Sequence, residues 1–387
     1  MGQPVDGARP PAAYAPGMGR WSALVARSLA AVLLAACAAP GGRAAGGQSA
    51  LFVANALDDS VTRLDGESGR VIGPDLPAGR APGQLAPGPD GSLLALSAAA
   101  DRDGEVTHLT RAAGRGARDW LARPLPLGAP ARRALLAGDG AGGAAVGYDV
   151  SGPGGRDGAC RVALVDVRRG EVRRTHTVCA AGERMTGLAL AVGPGGGTAF
   201  VGLTLRVAGA GGGPAAGHRL VALDAETGAV VARRAMPGPP EYLTVAPGTE
   251  RTAPRLYGVV GSDYIDADET TPARGRLLGL DPATLADESE FRLPAWPRAL
   301  AVAPDGGRAY GLTPGGGALM DLDLGRGVEA RRTALPGWGT RLAVGERWVY
   351  VADTASDEVW QFDRGDGRLA RSIRVGRGPI GLALGPA

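Results

Sequence analysis

Few types of reactive side chain are present in the sequence, and the types that are missing exclude several mechanisms. All 42 cationic side chains are arginines, because the chain contains no lysine. Schiff-base chemistry and Walker-type phosphate binding both need the lysine amine and are therefore excluded. Of the three histidines, His108 and His176 fall inside predicted strands and His218 opens one. A converging histidine trio is not expected, so a general base would have to be a carboxylate.

Two further cofactor and nucleophile motifs are missing from the sequence. No Cys-x-x-Cys-His is present, which excludes a covalently attached c-type haem, and no Gly-x-Ser-x-Gly elbow is found. The formal net charge of +3 is small for 387 residues, so nucleic acid is not an expected partner. The sequence predicts no cofactor.

The N-terminal segment has the features of a bacterial export signal. Arg20 and Arg27 flank an apolar run over 28–36, which is too short to span a bilayer as a mature helix. The run ends in Leu34-Ala35-Ala36-Cys37, which resembles the lipobox, in which the Cys thiol is acylated before cleavage on its N-terminal side. An ordinary signal peptide with a chance cysteine is the alternative.

This segment predicts the location of the protein. We expect a lipoprotein signal peptide over 1–36, for which Met18 is a more typical start than Met1. A lipidated Cys37 then begins a flexible tether over 37–50, which is rich in Gly, Ala and Pro. The predicted location is extracytoplasmic, with membrane contact through the lipid anchor only.

The other two cysteines, Cys160 and Cys179, form an even pair, which predicts a disulfide in an oxidising compartment. They stand at the outer ends of a predicted hairpin. Pairing that is symmetric about Arg169 and Gly170 would bring their Cα atoms to about 4.5 to 5.5 Å. A bulge at Gly170 would instead shift the register by one and set them on opposite faces. Two free cysteines are the alternative, and metal binding is not expected because no further ligand pair is near.

A module of about 40 residues recurs from Leu51 to the C-terminus, with four short apolar runs separated by Gly, Pro and Asp turns. The first copy lacks an opening strand, and the final strand, Ile380 to Leu384, has no following strands. The chain ends should therefore share one blade. The sequence predicts an all-β, seven-bladed β-propeller over 51–387, closed by the C-terminal strand. The other opening strands are predicted to begin near Leu85, Arg133, Met185, Tyr242, Ala299 and Arg341.

The repeat resembles the YVTN-repeat family of seven-bladed β-propellers. Phe52-Val53-Ala54-Asn55 and Tyr350-Val351-Ala352-Asp353 stand where the family's name motif stands. The family's Pro-Asp-Gly element is present at Pro89-Asp90-Gly91 and Pro304-Asp305-Gly306, and the resemblance is weak in blades two and three. An aspartate also closes the third strand of six copies, where an Asx-turn role is favoured over catalysis. These aspartates are Asp65, Asp166, Asp224, Asp281, Asp323 and Asp363.

The loops between blades carry an arginine in six of seven copies. A ring of guanidinium groups at a channel mouth would favour an anionic ligand such as a carboxylate, which pairs bidentately with the planar fork. Two tryptophans in these loops could stack on a sugar or a peptide. The alternative is that the arginines pair with acids of neighbouring blades and the tryptophans pack between blades. The candidate residues are Arg80, Arg298, Arg341, Arg377, Trp296 and Trp338.

Oxygen-rich loops over 55–60, 353–358 and 262–271 match no twelve-residue calcium loop, so no metal site is predicted. The main functional prediction is a monomeric, non-catalytic propeller that binds a protein, a peptide or a small anionic ligand on its loop face. The second hypothesis is a hydrolase or lyase acting on a lactone or sugar-like substrate. It rests on a resemblance in fold to propeller lactonases and antibiotic-ring lyases.

Overall fold

The computed structural model describes residues 49–97, 105–111, 120–127, 131–139, 142–151, 157–179, 183–193, 196–205, 217–246, 253–261, 275–293 and 296–386. The predicted signal peptide, Cys37, most of the tether and the polar insert over 262–271 lie outside these ranges. No helix within them is long and apolar enough to cross a membrane.

The described chain forms seven antiparallel sheets of four strands each, which confirms the predicted seven-bladed propeller. We number the blades in chain order and give each from its innermost strand outward. Blade 1 is β28 (Pro379–Pro386), β1 (Ser49–Asn55), β2 (Ser60–Asp65) and β3 (Leu76–Pro77); blade 2 is β4 (Pro82–Pro87), β5 (Leu93–Ser97), β6 (Val106–Arg111) and β7 (Trp120–Leu125); blade 3 is β8 (Ala131–Gly138), β9 (Gly143–Ser151), β10 (Asp157–Asp166) and β11 (Glu171–Thr177). Blade 4 is β12 (Glu183–Gly193), β13 (Gly196–Leu205), β14 (His218–Asp224) and β15 (Val230–Met236); blade 5 is β16 (Pro240–Ala246), β17 (Arg255–Gly261), β18 (Gly275–Leu280) and β19 (Asp287–Arg292). Blade 6 is β20 (Ala299–Val302), β21 (Arg308–Leu312), β22 (Ala318–Asp323) and β23 (Val328–Ala334); blade 7 is β24 (Arg341–Val344), β25 (Trp348–Asp353), β26 (Glu358–Asp363) and β27 (Leu369–Arg374).

The C-terminal strand closes the ring, as predicted. β28 pairs antiparallel with β1, with Leu384 opposite Leu51 and Leu382 opposite Val53. β1 is buried along its apolar run because each blade packs both faces against its neighbours. It begins at Ser49, so the last two residues of the predicted tether belong to the strand.

The innermost strands of blades 6 and 7 begin at Ala299 and Arg341, the predicted residues. Those of blades 2 to 5 begin two or three residues earlier than predicted. The reason is local: in these four blades the first strand pair contains a register shift near its start, whereas the first strand pairs of blades 6 and 7 are regular. A bulge places an extra residue in one strand and breaks the alternation from which strand limits are predicted.

The aspartates that close the third strands form the predicted turns. The Asp65 carboxylate accepts hydrogen bonds from the backbone N–H and the hydroxyl of Ser68, each at 2.7 Å. The following Gly69 has a φ of +67°, which glycine adopts without the strain of a Cβ. Asp224 and Thr227 repeat the arrangement in blade 4. These carboxylates therefore serve the turns on the face opposite the inter-blade loops.

Cys160 and Cys179 form a disulfide, with Cα atoms 5.1 Å apart. The even pair of cysteines predicted this bond, and the prediction is confirmed. Of the two registers left open for the hairpin, the symmetric one is not found. The turn places Asp166 opposite Glu171, where the symmetric register would place Arg173, and the irregularity between Leu164 and Val165 brings the pairing back by one residue. The N–H of Val178 then donates to the carbonyl of Cys160 at 2.9 Å. The bond forms because Cys179 lies beyond the end of β11, where the backbone has left the ladder and the side chain can turn back.

Candidate functional site at the channel mouth

Charged side chains stand at the beginning of the innermost strands of blades 4 to 7, at the end of the central channel that carries the inter-blade loops. Arg184 is the second residue of β12, Glu241 the second of β16, and Arg341 the first of β24, while Arg298 directly precedes β20. Innermost strands surround the channel side by side, so these residues share one mouth. We call Arg184, Glu241, Tyr242, Arg298 and Arg341 the mouth cluster.

Glu241 is the acid of this cluster, and it is only partly exposed. Burial raises its pKa to about 7, and the nearby charge of Arg184 opposes the rise. No residue of the described ranges donates a hydrogen bond to its carboxylate, so desolvation dominates. A carboxyl group with a pKa near neutrality can hold or release a proton under physiological conditions. Perturbed acids of this kind are concentrated at functional sites.

The backbone that carries Glu241 is strained at the next residue. Tyr242 has a φ of +49°, in the left-handed region that bulky residues rarely adopt. The pairing of β16 with β17 breaks between Glu241 and Thr244 at the same place. The Tyr242 hydroxyl donates a hydrogen bond to the Arg298 carbonyl at 2.9 Å, which ties blade 5 to the start of blade 6. Bulges and strained residues of this kind redirect side chains next to functional sites.

Arg298 and Arg341 bring two positive charges to one side of the mouth. Burial lowers the pKa of Arg341; the Tyr242 hydroxyl acts in the opposite direction, and the like charge of Arg298 lowers it further. The Arg341 Nη1 donates to the Thr340 carbonyl at 2.8 Å. Arg298 is partly buried and forms no ion pair with any described carboxylate. An anion between the two guanidinium groups would relieve their repulsion and could be held bidentately.

The other predicted candidates have different surroundings. Arg377 pairs with Asp58, whose Oδ1 accepts from Nε and whose Oδ2 accepts from the Arg377 backbone N–H, both at 2.6 Å. Arg80 is exposed. Trp296 is partly buried and packs against the core between blades 5 and 6, whereas Trp338 is 66% exposed. The structure thus brings Arg298 and Arg341 together. Arg377 instead pairs with an acid of the neighbouring blade, and Trp296 packs between blades, which are the structural roles given above as the alternative.

Glu241, Tyr242 and Arg184 were not predicted as site residues. The available signal was weak: a lone acid after Pro239-Pro240, at the start of an otherwise apolar strand. Among the described residues no group of three or more His, Cys, Asp or Glu side chains is placed to hold a metal ion. The mouth cluster is therefore suited to binding an anion and to moving a proton at Glu241.

The comparisons with known proteins support the propeller fold and identify no function. No protein-family model matches the chain, and no curated protein sequence matches it. Apo AztD from Citrobacter koseri has a TM-score of 0.52 at 16% identity over 87% of this chain and 98% of its own. Kuenenia stuttgartiensis hydrazine synthase has a TM-score of 0.56 at 16% identity, covering 85% and 97% of the two chains. A functionally unknown protein from Desulfotomaculum acetoxidans has a TM-score of 0.56 at 11% identity, covering 87% and 99%. At such identities the likeness establishes a seven-bladed all-β propeller and not its function.

Proposed function

We propose that this propeller binds a small anionic ligand, one that carries a carboxylate or a similar oxyanion, at the mouth of its channel. The observation that supports this most directly is the pair Arg298 and Arg341. Two guanidinium groups near each other in a partly buried space repel, and burial already lowers the pKa of Arg341. Because an oxyanion can accept bidentate hydrogen bonds from either fork, it converts this repulsion into attraction.

The remaining residues of the mouth cluster have supporting roles in the proposal. Arg184 adds a third positive charge on the opposite side of Glu241. Glu241 is neutral below its pKa of about 7 and then does not repel an anion. Ionisation at higher pH places a negative charge beside the ligand, so affinity should fall as pH rises above 7. The Tyr242 hydroxyl donates a hydrogen bond to the Arg298 carbonyl and so fixes the backbone from which the Arg298 side chain extends.

The proposal includes an extracytoplasmic location with a lipid anchor at Cys37. The lipobox-like Leu34-Ala35-Ala36-Cys37 supports it, and so does the disulfide between Cys160 and Cys179. Disulfides persist in oxidising compartments and are rare in the cytosol of mesophiles. The ligand would then be a solute or an exposed group of a partner outside the cytoplasm.

Isothermal titration of the purified chain with succinate, malonate and citrate at low salt tests the binding proposal. Replacing both Arg298 and Arg341 by Gln should weaken the affinity about 100-fold, since a charged hydrogen bond contributes about 1.5 to 3 kcal/mol. Arg80→Gln is the matched control, because Arg80 occupies the corresponding inter-blade loop before blade 2 and is exposed. If the double variant binds as the wild type does, or the wild type binds none of these anions, the proposal is wrong.

The second candidate, a hydrolase or lyase acting on a lactone or sugar-like substrate, is favoured by one observation, the near-neutral pKa of Glu241. In such a reaction Glu241 would accept a proton, and Arg298 and Arg341 would stabilise the developing oxyanion. Turnover of any member of a lactone panel that is lost in Glu241→Gln, with anion binding retained, would establish this function. If no lactone of the panel is turned over, the binding function stands and the enzyme function is rejected.

A further inference from the structure

One position in the second strand of the blades is aromatic in five blades and an alanine in blade 3. The position lies two residues after the second-strand residue that pairs with the aspartate closing the third strand. In blade 7 Trp348 pairs with Asp363, so the position is Tyr350. In blade 3 Asp166 faces Gly143, so the position falls on Ala145. The aromatic residues at this position are Phe52, Phe200, Tyr257, Tyr310 and Tyr350.

These five rings fill the space between their own blade and the next. All are at most 2% exposed. The Tyr350 hydroxyl donates to the carbonyl of Gly66 in the turn of blade 1, and the Tyr257 hydroxyl donates to Gly306 of blade 6 at 3.5 Å. The corresponding space between blades 3 and 4 lacks a ring, because the Ala145 side chain ends at Cβ.

A cleft of about 590 Å³ lies at this junction, on the face opposite the channel mouth. Its floor includes Leu164, Leu190 and Ala225. Leu164 is the cross-strand partner of Ala145, and Ala225 follows Asp224 just as Gly66 follows Asp65. Ala145 is fully buried and does not itself line the cleft. The cleft therefore lies beside the place that a tyrosine ring reaches at the junction of blades 7 and 1, and its volume lies within the range of small-molecule sites.

Four arginines from the turn and outer strand of blade 3 form the rim of this cleft. Arg173 pairs with Asp166, and Arg174 pairs with Glu226 at 2.7 Å. The guanidinium groups of Arg168 and Arg169 have no ion-pair partner in the described ranges. Asp139 lines the cleft as well as Asp166 and Glu226, so the four arginines leave the lining with a net positive charge of one. An apolar floor under a net positive rim suits a ligand that has both an apolar and an anionic part.

We propose that this cleft binds a small molecule that combines an aromatic ring with an anionic group. The ring occupies the cleft beside the space that an aromatic side chain fills at five of the six other junctions, and the anion contacts Arg168 and Arg169. The site lies on the opposite face from the mouth cluster and is independent of the function proposed there.

Titration calorimetry with phenyl phosphate at low salt tests this site, with inorganic phosphate and phenol as probes of the charge alone and the ring alone. Phenyl phosphate should bind at least tenfold more tightly than either probe. Ala145→Tyr should fill the cleft and weaken phenyl phosphate binding at least tenfold. Arg168→Gln combined with Arg169→Gln should weaken it by a similar factor, because two charged hydrogen bonds are lost.

Two controls separate this site from other anion binding. Arg326→Gln removes an exposed arginine from the corresponding turn of blade 6 and should leave the affinity unchanged. The variant with both Arg298 and Arg341 replaced by Gln should also bind phenyl phosphate in the cleft as the wild type does. The proposal is overturned if phenyl phosphate binds no better than inorganic phosphate, or if Ala145→Tyr folds and binds normally. Should Ala145→Tyr fail to fold, unchanged affinity in the Arg168 and Arg169 double variant overturns it.

Discussion

Replacing Glu241 by glutamine tests whether burial keeps this carboxyl group neutral. Burial raises the pKa of Glu241 from 4.5 to about 7. The unfolded chain releases this proton near the ordinary value, so between the two pH values the folded state binds more protons and stability falls as pH rises. An interval from 4.5 to about 7 corresponds to about 3 kcal/mol of lost stability once the pH exceeds both values.

Glutamine keeps the shape of the side chain and removes the charge. Glu241→Gln should therefore raise the free energy of unfolding by up to about 3 kcal/mol at pH 8 and by less than about 1 kcal/mol at pH 5. Urea denaturation of both proteins at the two pH values measures the difference. Glu346→Gln removes an exposed carboxylate on the opposite face and should have little effect at either pH.

The pattern of the result decides between two electrostatic descriptions of the mouth. A variant that is more stable at pH 8 and nearly unchanged at pH 5 supports a desolvated Glu241 with a raised pKa. A variant that loses stability at pH 8 would mean that Glu241 is ionised and paired with Arg184. That outcome would refute the proposed pH dependence of ligand binding.

Three further results are expected. Cys160→Ala should lower the free energy of unfolding by about 3 kcal/mol in urea without reductant, because the disulfide closes a loop of about 20 residues; an unchanged value would contradict this stabilisation. His108→Gln should reduce the loss of melting temperature between pH 7.5 and 5. The His108 imidazole contacts the Val167 carbonyl at 2.7 Å, and burial lowers its pKa. The stability that the neutral imidazole contributes is therefore present above the usual pKa of 6.5 and is lost as pH falls through the lowered pKa. Parallel acid sensitivity in variant and wild type would be the contrary finding. Cys37→Ala should move the protein from membranes to the soluble extracytoplasmic fraction; identical fractionation, with no acyl mass on the wild type, would show that Cys37 is no anchor.

The fold was predictable because each blade repeats the same apolar runs and turns, and because the fragments at the two chain ends complete one blade. Strand limits were predictable only where pairing is regular, as at Ala299 and Arg341 in blades 6 and 7. In blade 5 the register break between Glu241 and Thr244 is invisible to a pattern of alternation. It depends on the packing of neighbouring blades and on the strained conformation of Tyr242.

The candidate site was predictable in part. The repeat placed Arg298 and Arg341 at the mouth, because both precede or open an innermost strand. It could not distinguish them from Arg377, whose partner Asp58 is 319 residues away in sequence and meets it only when the ring closes. The raised pKa of Glu241 depends on desolvation, which only the assembled channel produces. The disulfide was predictable from the even pair of cysteines, whereas the register of their hairpin was not, because it depends on the irregularity between Leu164 and Val165.

A crystal structure with bromide in place of a ligand carboxylate tests whether the channel mouth is an anion site. Anomalous scattering locates bromide independently of any assumption about the ligand. We expect a bromide peak within hydrogen-bonding reach of the Arg298 and Arg341 guanidinium groups, and we expect the peak to be lost when both residues are replaced by Gln. Ordered bromide elsewhere on the propeller with none at the mouth would contradict this expectation.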